Sequence, residues 1–138
     1  MYIFLDIDGV LNKKEDWKHP FALNDKNVDV FNMFLKRINN PRIILISSWR
    51  KGFVSPGNKN NAPYIKELED RIRFGRIVGK ISDTITDRQK GIEMFLSEHL
   101  GDYIVFDDDK TEYKHEQDNL VLINCNTGLT TKDIKGVK

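Results

Sequence analysis

The stretch FLDIDGVLN, residues 4–12, runs an apolar strand into two carboxylates one residue apart and leaves through a glycine. Side chains alternate between faces along a β-strand, so Asp6 and Asp8 are expected on one side, roughly 6–7 Å apart if the strand stays regular. Gly9 then lets the chain turn sharply away. Carboxylates this close repel each other, and a cation or a shared proton is what usually offsets that cost. Mg2+, a hard ion that prefers oxygen ligands, suits the pair. Asp and Gly also build ordinary turns, but the apolar, strand-forming residues ahead of Asp6 favour a strand end.

Further apolar runs stand at Tyr2–Asp6, Arg42–Ser47, Arg76–Ile81, Tyr103–Asp107 and Leu120–Ile123, with helical patterns between most of them. This alternation predicts an α/β fold, a three-layer α/β/α sandwich around a five-stranded, mainly parallel, Rossmann-like sheet. Phe31, Phe34, Leu35 and Ile38 recur at helical spacing and predict a first helix that ends before Pro41. A second helix is expected from Pro63 to Phe74. In a third, capped by Thr86 or Asp87, Ile92, Phe95, Leu96 and Leu100 form the buried stripe. A last short helix starts near Thr130, with Asp133 as a capping-box partner. Residues 55–63, SPGNKNNAP, read as a loop.

At 138 residues the chain is expected to form one domain, 1–138, large enough for its own core. A formal charge of +1 and a pI near 7.8 argue against a protein devoted to wrapping nucleic acid, although a local basic patch remains compatible. The lone cysteine, Cys125, forms no intrachain disulfide and is expected to be a small buried residue in a reducing, cytoplasmic setting. No basic leader precedes a long apolar run, and no stretch approaches the ~20 apolar residues of a membrane span. His19, His99 and His115 lack paired metal-ligand spacing. No phosphate-binding Gly-x-x-x-x-Gly-Lys-Ser/Thr loop or Gly-x-Gly-x-x-Gly turn is present.

In open parallel α/β sheets, ligands bind beyond the carboxyl ends of the strands, where the winding direction reverses. Polar residues gather there: Asp6 and Asp8 after the first run, Ser47 and Ser48 after the second, and Asp107, Asp108 and Asp109 after the fourth. Arg50 adds a planar guanidinium able to hold phosphate oxygens bidentately. Trp49 offers either a packing surface or a stacking face, with packing the expected role. Arg88 and Lys90 lie near the start of the third helix, where cations oppose the helix dipole and so call for a reason other than helix stability.

FLDIDGVLN resembles the first motif of the haloacid dehalogenase-like (HAD) superfamily, a hydrophobic strand followed by Asp-x-Asp-Gly-Val/Thr-Leu. The resemblance implies that Asp6 is a nucleophile toward phosphorus. It also implies that Asp8 is a general acid/base whose main-chain carbonyl helps to hold Mg2+. IILISSWR, residues 43–50, resembles the second motif and assigns phosphoryl binding to Ser47, with Ser48 open as the alternative. DRQKGIEMFL, residues 87–96, resembles the third and offers Arg88, or else Lys90, to steady the charge on nucleophile and phosphate. IVFDDD, residues 104–109, resembles the fourth, with Asp108 as the direct metal contact and Asp107 assisting. Together these imply a metal set of Asp6, Asp8, Asp107 and Asp108.

The same resemblance implies a Mg2+-dependent phosphatase that removes a phosphate monoester through an aspartyl-phosphate. The first gap is short, and about 35 residues separate Arg50 from Thr86, so a minimal cap or none is expected. An open site suits a large substrate. SSWR and the Arg-led third motif resemble small HAD domains of nucleic-acid repair proteins, including polynucleotide 3'-phosphatases. The substrate is thus a phosphorylated small molecule or a nucleic-acid end; no membrane is implied and no protein partner can be inferred. Competing readings are a metal-dependent phosphodiesterase or nuclease, in which water attacks directly, and a silent HAD-like or receiver-like binding domain.

Overall fold

The computed structural model describes residues 1–39, 41–114 and 119–137. Five parallel strands, β1 (Tyr2–Leu5), β2 (Arg42–Leu45), β3 (Arg76–Lys80), β4 (Tyr103–Asp107) and β5 (Leu120–Leu122), form one sheet in the order β3-β2-β1-β4-β5. The register aligns Tyr2 with both Arg42 and Tyr103, so β1 is the central strand. From β1 the chain winds outward through β2 to β3, then returns to the other side of β1 to lay down β4 and β5. The winding therefore reverses between β1 and β4, where a crevice opens beyond the strand ends.

Both faces of the central strands are covered, which is why they read as continuous apolar runs and not as alternating ones. On one face Ile3, Leu5, Ile43, Leu45 and Phe106 pack with Val28, Phe31, Phe34 and Leu35 of α1 (Asp25–Arg37). The same core takes Ile65 and Leu68 of α2 (Pro63–Arg71) and Ile134 of α4 (Thr131–Lys135). On the other face Tyr2, Phe4, Ile44, Ile46 and Val105 pack with Ile92 of α3 (Arg88–Glu98), with Phe95 and Leu96 half-covered beside it. The layers are thus three helices, the sheet, and one helix.

Several ends differ from the expectations. β1 stops at Leu5, so Asp6 and Asp8 lie on the turn beyond the strand and not within it, although the Asp6 N–H still donates to the Phe106 carbonyl at 3.0 Å. α2 ends at Arg71, short of Phe74. α3 ends at Glu98, which leaves Leu100 outside the helix and 90% exposed, so it does not extend the buried stripe. The α3 cap is Asp87, whose Oδ1 accepts the Lys90 N–H at 3.1 Å. α4 is capped as expected, with Asp133 Oδ2 accepting the Thr130 N–H at 2.7 Å. Cys125 is half-buried, not fully covered.

Three 3-10 turns, Lys14–Lys18, Ser48–Gly52 and Lys110–Glu112, follow strand ends and shape the crevice. Between β1 and α1 the 3-10 turn is the one helical element, and between β2 and β3 stand a 3-10 turn and α2. Neither insertion adds a strand, so the crevice is not roofed by a separate sheet. Among the described residues no helix is long and apolar enough to cross a membrane.

Candidate active site

The crevice at the β1/β4 switch point is a cavity of about 270 Å³ lined by Asp6, Asp8, Ser47, Ser48, Arg88 and Asp108, with Trp17 and Asp109 at its edges. Asp6 follows β1 and is 4% exposed. Asp107 closes β4 and is fully buried, and Asp108 follows it half-buried. One carboxylate oxygen from each of Asp6, Asp107 and Asp108 lies within 4.8 Å of the others. This close approach depends on Gly9, whose φ of +85° suits glycine and whose position leaves no room for a Cβ against the Asp108 carboxylate.

Arg88, the first residue of α3, reaches into this acidic set. Its Nη1 donates to Asp107 Oδ2 at 2.8 Å and lies 3.6 Å from Asp6 Oδ2, while Nη2 lies 3.8 Å from Glu112 Oε2. Asp107 also accepts the Tyr113 hydroxyl at 2.6 Å and the Asp109 N–H at 3.0 Å. Its two oxygens are therefore largely committed to protein donors. Asp6 and Asp108 keep more of their lone pairs for a ligand.

The electrostatics follow from this crowding. Burial pushes the Asp6 carboxyl well above the usual carboxylate range, the Asp107 charge pushes it further, and Arg88 offsets part of the rise. Burial likewise raises Asp108, with its hydrogen bond to Asp6 acting in the opposite direction. Burial works against the Arg88 charge, yet Asp6 and Asp107 outweigh it and hold the guanidinium firmly protonated. The Tyr113 hydroxyl is raised by burial and by Asp107, so it stays a donor. Three clustered carboxyls, two of them paired with the one cation Arg88, leave a deficit of positive charge that a hard divalent ion would fill. The all-oxygen donor set fits Mg2+.

Asp8 lies outside the carboxylate triad. Asn12 Nδ2 donates to its Oδ1 at 3.0 Å and Trp49 Nε1 to its Oδ2 at 3.3 Å, so each oxygen has a fixed partner. Asn12 is buried and also accepts the Gly9 N–H at 2.8 Å, tying the turn to the side chain it orients. Ser47, fully buried, accepts the Trp49 N–H on its Oγ at 3.1 Å and retains its own hydroxyl hydrogen for an anion. Ser48 is exposed on the same wall, so both serines reach the cavity.

Of the paired alternatives, Arg88 enters the site, whereas Lys90 is exposed and outside the lining. Arg50 does not reach the site either. Its side chain turns back into the protein, where Nη1 donates to the Ile46 and Ser47 carbonyls, both at 3.2 Å, and Nη2 to those of Ser82 and Ile85 at 3.4 and 2.9 Å. A guanidinium spent on four carbonyls is a strap between two loops, not a phosphate clamp. Trp49 packs as expected: it is buried, with Phe21 and Tyr64 against it edge-on. Phe21, at φ +56°, is held in that uncommon conformation by stacking on Tyr64 at 3.8 Å.

His19 is exposed, and exposed His99 stacks on Phe95; His115 lies outside the described residues. Asn12, Glu112 and Tyr113 join the site without having been expected there. A polar residue closing the apolar run Val10-Leu11 was the available signal for Asn12. Nothing in the sequence marks Tyr113, because the 3-10 turn over Lys110–Glu112 is what brings it back to Asp107.

Residues 2–134 match the model of a family described as the HAD domain in Swiss Army Knife RNA repair proteins. The chain belongs to this family. The match spans the whole sheet and every residue that lines the crevice, and ends within α4. HAD membership supports a phosphoesterase-type hydrolase in general and agrees with the small, parallel α/β architecture. No curated protein and no solved structure matches the chain.

Proposed function

We propose that this HAD domain is a Mg2+-dependent phosphomonoesterase that works through an aspartyl-phosphate on Asp6 and acts on the phosphorylated end of a polynucleotide. The observation that carries the reading is the convergence of Asp6, Asp107 and Asp108 at the switch point, where Arg88 pairs with Asp6 and Asp107 and Asp8 is held separately beside them. The family's description, which names RNA repair proteins, supports a polynucleotide end over a small metabolite. The lone cysteine suits a reducing, cytoplasmic setting.

Asp6 and Asp108 would hold the Mg2+ ion with their carboxylates and Asp8 with its main-chain carbonyl, with Asp107 behind them. When bound, the ion supplies the positive charge that lets an anionic nucleophile and an anionic phosphate approach each other. Asp6 attacks phosphorus in line, forming an acyl phosphate as the ester P–O bond breaks. Asp8, oriented by Asn12 and Trp49, gives its proton to the leaving oxygen. It then takes a proton from the water that attacks the same phosphorus, which releases inorganic phosphate and restores the Asp6 carboxylate. Arg88 and the Ser47 hydroxyl face the transferring oxygens and stabilise the charge they carry.

The test is phosphate release by the purified protein, with and without Mg2+, from a chromogenic monoester, nucleotides, and oligonucleotides bearing 3'- or 5'-phosphate. Release that requires Mg2+ and falls at least ~10³-fold in Asp6→Asn supports the reading. A folded, Mg2+-binding protein that releases phosphate from none of them, or that cuts internal phosphodiesters instead, contradicts it.

A further inference from the structure

Trp17 has a place that packing does not explain. It sits on the 3-10 turn Lys14–Lys18, which buries none of its residues, and is itself 42% exposed. Among the described residues it belongs to neither apolar core and to no ring pair. An indole left half in water is expected to drift among rotamers, yet this one is anchored by its polar edge. Its Nε1 donates to Asn12 Oδ1 at 2.9 Å, and Asn12 is the residue that also holds Asp8 and the Gly9 N–H. The indole is thereby fixed to the catalytic turn, with ring surface uncovered at the cavity edge.

The rest of that lining consists of carboxylates, serines and Arg88, which suit a phosphoryl group but offer nothing to an apolar flat one. Trp17 supplies the missing surface. On the same turn Lys14 and Lys18 are exposed, as is Glu15, while Asp16 is half-buried and accepts the Lys13 N–H and an Asn24 Nδ2 hydrogen, so the turn offers cations without a net charge and the ring is its distinctive surface. An exposed, anchored aromatic face is a surface on which a base of single-stranded nucleic acid stacks, whatever the base.

We propose that Trp17 stacks on the terminal base of the polynucleotide whose phosphate occupies the site, so that the protein selects ends whose last base is present and unpaired. This rests on the phosphatase reading above and adds to it the part of the substrate that is recognised. Because every base has a π-face, the selection is for an available base and not for its identity. A base locked in a duplex is stacked on its neighbour and paired to its complement, and it reaches the indole only at the cost of unstacking.

The experiment compares kcat/KM for three phosphate-ended oligonucleotides, single-stranded, blunt duplex and single-stranded with an abasic terminal sugar, in the wild type, Trp17→Ala and Trp17→Phe. Circular dichroism confirms that the variants fold, as expected for a side chain outside the core. The wild type should prefer the base-bearing single strand over the abasic one by about 5- to 150-fold, the range that one base stack supplies. Trp17→Ala should bring that ratio close to one, and Trp17→Phe, which keeps an aromatic face but loses the Nε1 anchor to Asn12, should give a ratio between the two. A wild type that hydrolyses all three ends equally well, or a ratio that survives Trp17→Ala, overturns the inference and leaves the phosphatase standing. Absence of Mg2+-dependent release from any substrate, base-bearing or not, removes the phosphatase reading and the inference with it.

Discussion

Burying the Asp6 carboxyl among Asp107 and Asp108 makes it reluctant to ionise, and Arg88 repairs only part of that cost. In the metal-free protein Asp6→Asn should therefore raise stability, on the order of 1–3 kcal/mol, as removal of a buried repulsive charge commonly does at functional sites. The pH dependence has a definite sign. A carboxyl whose pKa rises on folding binds its proton more tightly in the native state, so stability falls as pH increases between about 3.9 and the raised value. Urea denaturation across that window should show the wild-type midpoint falling with pH more steeply than that of Asp6→Asn. Arg88→Ala should lower kcat/KM by about 10²–10³-fold, with Arg88→Lys recovering only part of the loss because an ammonium lacks the guanidinium fork that spans Asp107 and Glu112. Steady-state kinetics checks both. The residues on the strand ends were legible in the sequence because apolar runs announce where they stop. Arg50 was not. Its chemistry suits phosphate, and only the fold reveals that carbonyls more than thirty residues away consume its donors.

Among the elements, Arg50 and Lys80 tie the turn after β2 to the loop that leads into α3. Arg50 spans the Ile46, Ser47, Ser82 and Ile85 carbonyls, and Lys80 Nζ donates to the carbonyls of Arg50 and Phe53 at 3.0 and 2.7 Å. Arg50→Ala should destabilise the fold by about 2–4 kcal/mol, because several carbonyls lose their donor at once. Arg50→Lys should recover less than half, and the shift of the denaturation midpoint measures each. The five strands and four helices were legible because apolar periodicity reports burial. The 3-10 turns were not, since they are short and follow local hydrogen bonds such as the one the Trp49 N–H donates to Ser47 Oγ. β1 closes at Leu5 because the chain then turns through Ile7–Leu11, where the Val10 and Leu11 N–H groups donate to the Ile7 carbonyl at 3.0 and 2.9 Å.

The whole molecule gathers its chemistry by topology. Alternating strands and helices predict a parallel sheet but leave the order β3-β2-β1-β4-β5 open, and that order is what puts Asp6 beside Asp107 and Asp108. The uneven layers, three helices against one, were equally hidden, because each amphipathic helix shows that it has a buried face but not which side of the sheet receives it. Since the acidic cluster forms only when β1 and β4 pair, a bound cation should stabilise the fold as a unit. At a hundred times its dissociation constant Mg2+ should add about 2.7 kcal/mol and raise the melting temperature by several degrees. Calorimetry should show this rise in the wild type and lose most of it in Asp108→Asn.

The most direct measurement is acid-quenched mass spectrometry of the protein during turnover of a phosphorylated oligonucleotide with Mg2+. One added phosphoryl group is expected on the peptide that contains Asp6, removed by hydroxylamine as an acyl phosphate should be, and absent from Asp6→Asn. Steady product formation with an unmodified Asp6 peptide, or turnover that persists in Asp6→Asn, would mean that water attacks directly and that Asp6 is not the nucleophile.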